Sequence, residues 1–96
     1  MGEFPEKICL RLFGLRGPKV GRIEEESFPL SPNLTVGKVW GELQRSAAPH
    51  SPLASLPRDM VLALVNGTPV QRLAGGWDTS LRDGDTVAFM VKAFGG

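Results

Sequence analysis

Only one stretch of this chain carries a helical period, and segments with the period of a strand flank it on both sides. Val36, Val39, Trp40 and Leu43 fall at i, i+3, i+4 and i+7, which gathers them on one stripe of a helix. Thr35 stands where an N-cap hydroxyl meets the first free amides, and the pattern runs to Arg45. Before it, "KICLRLFG" alternates, with Ile8, Leu10 and Leu12 on one face and Lys7, Cys9, Arg11 and Phe13 on the other. Near the end, Val87, Phe89 and Val91 alternate with Ala88, Met90 and Lys92. A lone amphipathic helix among strands has one place to bury its stripe, the face of a sheet.

The remaining segments fill in that sheet. "RIEEESFPL" reads as a weaker strand whose three successive glutamates limit burial, which places it at an edge. "MVLALVNGTPV" is a continuous apolar run closed by Asn66-Gly67, a strong hairpin signal, and reads as a central strand turning back through a short partner, "TPVQ". Residues 46–59, rich in proline, show neither period and are expected to form a loop; "RLAGGWD" is expected to be irregular. Gly37 and Gly41 interrupt the helix and suggest close packing against the sheet. The order ββαββ predicts an α+β fold with a mixed sheet of about four to five strands and one main helix across it, a β-grasp. A single domain over residues 1–96 is expected, with a flexible tail from residue 93.

Several classes of function fit poorly. The formal net charge is +1 and the Lys and Arg residues are scattered, so no basic stripe steers nucleic acid or an anionic membrane. The longest apolar run, residues 60–65, is far short of the roughly 20 residues of a spanning helix, and the N-terminus has no basic region followed by an apolar stretch. Cys9 is the only cysteine, which excludes an internal disulfide and suits a reducing cytoplasmic setting. His50, the only histidine, lies in the proline-rich loop, away from Cys9 in sequence, so neither reads as half of a nucleophile–base pair. Asp83 and Asp85 flank a glycine and read as turn formers, since a calcium loop needs further ligands. "LAGGWD" lacks the spacing and lysine of a phosphate loop. Trp40 belongs to the core stripe, whereas Trp77 falls outside any period and suits either a core plug or a contact surface. Phe13 and Met90 point away from the core face, and exposed apolar side chains of this kind mark a contact site.

Four pieces recur in order toward the end: Val65-Asn66 closing an apolar strand, Leu81 with Asp83-Gly84-Asp85, Val87-Ala88-Phe89, and Gly95-Gly96. Together they resemble the sulfur-carrier family with a ubiquitin-like fold (MoaD/ThiS-like), and within it the molybdopterin synthase small subunit most of all. The resemblance covers residues 60–96 well and the first strand and Thr35 helix loosely. Departures are Lys92, Ala93 and Phe94 before the glycines, where that subunit usually has prolines and a small residue, and insertions at 46–59 and 72–77.

The resemblance implies a non-catalytic carrier. A ThiF/MoeB-like partner enzyme adenylates the C-terminal carboxylate of Gly96, using ATP, and persulfide sulfur then converts it to a thiocarboxylate. The sulfur passes to the large molybdopterin synthase subunit (MoaE-like) in making the pterin cofactor of molybdenum or tungsten enzymes, or to another acceptor such as thiamine synthesis. Some relatives also attach their terminal glycine to lysines as protein modifiers. No tightly bound cofactor and no metal is implied, because ATP is used by the partner. Gly95 gives the tail its conformational freedom, Phe94 anchors it in an apolar pocket, and Phe13 and Met90 match positions that contact the large subunit or the activating enzyme.

Overall fold

The computed structural model describes residues 6–15, 23–49 and 51–92. Strand β1 (Lys7–Phe13) and strand β2 (Ile23–Pro29) form an antiparallel hairpin, followed by helix α1 (Val36–Ser46) and one helical turn, α2 (Pro52–Ser55). Strands β3 (Val61–Val65), β4 (Thr68–Pro69) and β5 (Thr86–Val91) complete a sheet in the order β2-β1-β5-β3-β4. β1 and β5 run parallel and the other pairs antiparallel. The acidic β2 is an edge strand, as its composition predicts.

Alternation decides what each strand buries. Ile8, Leu10 and Leu12 of β1, Val61, Ala63 and Val65 of β3, and Val87 and Phe89 of β5 form the inner face, over which α1 lays Val36, Val39, Trp40 and Leu43. The Thr35 hydroxyl accepts a hydrogen bond from the Lys38 amide at 3.2 Å and caps the helix as expected. Trp40, 2% exposed, packs on Phe89 with ring centroids 5.0 Å apart. Trp77 resolves toward the core: it stacks on Phe89 at 6.1 Å, meets Trp40 edge-on at 6.4 Å, and is covered by the Arg58 guanidinium at 5.0 Å.

Five expectations change. β3 is not central; β5 holds the middle of the sheet, and the continuous apolar run of β3 arises because Leu62 and Leu64 face an apolar outer surface while their neighbours face the core. Val91 has inward parity but is 42% exposed, because it ends β5 beyond Phe89, the last residue of that strand that the tryptophans cover. Residues 46–59 are not a plain loop: Pro52 starts α2, Leu53 is buried, and the Gln44 amide donates to the Leu53 and Leu56 carbonyls at 3.2 and 2.7 Å, before a 3-10 turn at Arg58–Met60. The irregular segment is organised as two 3-10 turns, Val70–Arg72 and Gly76–Asp78. Gly37 does pack closely, but on Arg58 and the Trp77 carbonyl, not on the sheet, and Gly41 is exposed with no atom within 4 Å of where a Cβ would stand.

Candidate functional site

The 81–85 motif is a junction that ties three strands together. Gly84 adopts φ 88° at the turn, a left-handed conformation that a Cβ disfavours. The Asp83 carboxylate accepts the Lys7 amide at 2.9 Å, and the Gly84 amide donates to the Lys7 carbonyl at 2.9 Å, so the turn closes on the start of β1. The Asp85 carboxylate accepts the Arg82 amide at 2.8 Å and the Asn66 side-chain amide at 3.0 Å. Asn66 also accepts the Thr86 amide at 2.9 Å, which binds the β3–β4 hairpin to the head of β5. That hairpin turns through Asn66 at φ 51° and Gly67 at φ 87°, the paired left-handed residues of a tight two-residue turn. Asp83 thus accepts from a backbone amide, and Asp85 from one backbone amide and the Asn66 side chain, in the structural role expected of them. Among the described residues no group of three or more His, Cys, Asp and Glu is placed to hold a metal ion.

β5 leads from this junction toward the C-terminus. Just past its end the Lys92 amide donates to the Met60 carbonyl at 2.9 Å. Phe94, Gly95 and Gly96, the tail residues singled out in the sequence, lie outside the described residues, as does His50.

The outer face of the sheet, opposite α1, is where Phe13 and Met90 lie, and they are direct register partners across the β1–β5 pair. The row continues to Ile23 on one side and Leu62 on the other, so four apolar side chains from four strands line up at the end where β5 leaves the sheet. Ile23 is 50% exposed and the other three are half-buried. The next row holds Glu25, Arg11, Ala88, Leu64 and Pro69, in which Arg11 pairs with Glu25 at 2.8 Å and reaches over the Phe13 ring at 5.7 Å. The row beyond is polar, with Ser27, Cys9 and Thr86. The surface thus grades from polar to apolar toward the C-terminal end of β5, and Cys9 sits on it as a half-exposed strand residue. Sequence reading missed Ile23, Leu62 and Leu64. Strand parity holds the signal for the two leucines, but which strands stand side by side is set by register, which a single segment does not display.

Residues 10–96 match the ThiS family. No curated protein matches closely enough to count as a relative. Solved structures that share the fold include three named proteins. The solution structure of the Haloferax volcanii HVO 2177 protein has a TM-score of 0.59 and 24% identity over 100% of this chain and 93% of that one. The solution structure of Urm1 from Trypanosoma brucei has a TM-score of 0.62 and 21% identity over 99% and 100%. The Caldiarchaeum subterraneum ubiquitin has a TM-score of 0.52 and 20% identity over 94% and 99%. The fold is accordingly a ubiquitin-like β-grasp. No helix among the described residues is long and apolar enough to cross a membrane.

Proposed function

The chain belongs to the ThiS family, and from that premise we propose that it is a sulfur carrier whose reacting group is the Gly96 carboxylate and whose sulfur goes to molybdopterin synthesis. The observation that carries this reading is that the family match runs through Gly95 and Gly96. A free carboxylate is a poor electrophile. A ThiF/MoeB-like enzyme joins one carboxylate oxygen to the α-phosphorus of ATP and releases pyrophosphate, so that AMP becomes the leaving group. Persulfide sulfur attacks the carbonyl carbon and expels AMP; a thiol then cleaves the S–S bond, forming a disulfide and leaving the thiocarboxylate on Gly96. The catalytic side chains belong to the partner, and this chain contributes position.

Position comes from two features. The Ile23–Phe13–Met90–Leu62 row is the docking face for the adenylating enzyme and then for the sulfur acceptor, a large MoaE-like synthase subunit, because burying an apolar row at the C-terminal end of β5 fixes the point from which the carboxylate must reach. Phe94 anchors the tail in an apolar pocket of the partner, and Gly95 and Gly96, lacking Cβ atoms, enter a channel too narrow for branched residues.

Adenylation is tested by ATP–pyrophosphate exchange with the adenylating enzyme captured from the native cell. Exchange should depend on this chain and vanish when Gly96 is deleted; exchange that persists without Gly96 would contradict the assignment. A second reading, a protein modifier joined to target lysines through Gly96, is favoured by the likeness to the structures titled Urm1 and ubiquitin. It predicts covalent lysine conjugates in cell extract, which a dedicated carrier does not form.

A further inference from the structure

We propose that Arg58 is a positioning residue for the C-terminal tail, clamping the 3-10 turn Arg58–Met60 so that the Met60 carbonyl sets the line on which β5 leaves the sheet. The two neighbours of β5 do not hold it equally far. Its pairing with β1 ends at Phe13 and Met90, whereas its pairing with β3 reaches Val61 and Val91 and goes on to the Lys92 amide, which donates to the Met60 carbonyl at 2.9 Å. The core gives no further hold there, since Val91 is 42% exposed. Lys92 stands four residues before Gly96 in sequence. A shift of the Met60 carbonyl therefore moves the last described backbone donor before the reacting carboxylate.

What fixes Met60 is the turn, and what fixes the turn is Arg58. The Met60 amide donates to the Pro57 carbonyl at 3.0 Å and the Val61 amide to the Arg58 carbonyl, so the three residues move as a unit. None of them is buried, and the core has little grip on that unit. Its side-chain hold is the Arg58 guanidinium, which lies over the Trp77 ring at 5.0 Å from the centroid. Gly37 provides the seat, because a Cβ there would stand 2.7 Å from the Arg58 Nη2. Sealing the core does not call for this contact: Arg58 is exposed, and the ring contacts of Trp77 with Phe89 and Trp40 do not involve it. Trp77 stacks on Phe89 of β5, so the clamp rests on the same strand whose end it sets.

The role in the reaction rests on the carrier assignment; the clamp on the strand end does not, and two measurements separate them. Amide hydrogen exchange on the full chain reads the clamp. In Arg58→Ala the Lys92 amide should exchange about two- to fivefold faster, the ratio that an exposed cation–π contact is worth, with the Leu62 and Leu64 amides unchanged. Gly37→Ala, which keeps Arg58 but fills its seat, should do the same. Arg58→Lys, which keeps a cation without the planar stack, should fall between Arg58→Ala and the unaltered chain. ATP–pyrophosphate exchange with the adenylating enzyme, run well below the melting temperature of each variant, reads position. Arg58→Ala should lower kcat about tenfold or more with KM for the chain unchanged, because the docking row is intact while a misplacement of about 1 Å costs up to about a hundredfold. An unchanged Lys92 amide in Arg58→Ala, faster exchange along the whole of β3, or a kcat equal to that of the unaltered chain would overturn the proposal. No exchange with the unaltered chain would overturn the carrier assignment and the role of Arg58 in the reaction with it, while the Lys92 amide still decides the clamp.

Discussion

Trp40 concentrates the stability of the domain in one side chain. It is 2% exposed between Phe89 and Trp77, and its buried indole N–H meets no acceptor among the described residues. Trp40→Ala is expected to cost roughly 3–5 kcal/mol in denaturant unfolding, the range for deleting a buried aromatic. Trp40→Phe should cost at least about 1 kcal/mol less, because it keeps a ring against Phe89 and removes the stranded donor. Equal losses would mean that the N–H finds a partner. The two helix glycines give a second contrast. Gly41→Ala should gain about 0.5–1 kcal/mol by helix propensity alone. Gly37→Ala should not show that gain, because the new Cβ stands 2.7 Å from the Arg58 guanidinium and 3.2 Å from a backbone carbonyl. The sequence shows two glycines with the same apparent role; only the packing around them separates a required one from a dispensable one.

Among the elements, the 81–85 turn has the widest reach, since its two carboxylates hold β1, the β3–β4 hairpin and β5 in one arrangement. Asp85→Ala leaves the Arg82 amide and the Asn66 side chain without their acceptor and should cost about 1–3 kcal/mol, with faster hydrogen exchange at Arg82. Asp83→Ala removes one exposed bond to Lys7 and should cost less, about 0.5–1.5 kcal/mol. A larger effect at Asp83 than at Asp85 would contradict this account of the junction. α1 was legible because four apolar positions share a helical period and a threonine caps them. α2 was not, because a single turn is shorter than one full repeat of the pattern and Pro49, Pro52 and Pro57, in and around it, argue against a helix interior. The central place of β5 was equally hidden. An apolar run at β3 looks the same whether a second core or a contact surface lies behind Leu62 and Leu64.

For the whole molecule, one face of the sheet buries the core and the opposite face grades into an apolar row at the C-terminal end of β5, so the proposed partner contact uses the side of the sheet that folding leaves open. Phe13→Asp, Met90→Asp and Leu62→Asp should each leave the fold intact and weaken binding of the adenylating enzyme, since a carboxylate forced into an apolar contact is costly to desolvate. Calorimetry that finds unchanged affinity in all three would remove this face from the interface. Phe13 and Met90 were legible from strand parity, but their adjacency was not, because it depends on a parallel pairing between the first and last strands. The central claim is that Gly96 is the reacting residue, and the mass of the intact chain tests it most directly. After incubation with the adenylating enzyme, ATP and a sulfur source, the chain ending at Gly96 should gain the difference between sulfur and oxygen. A chain with one residue added after Gly96 should keep its fold and its mass, because reacting groups tolerate displacements of only about 1 Å before rates fall steeply. If the extended chain takes up sulfur as readily as the chain ending at Gly96, the carboxylate of Gly96 is not the carrier group.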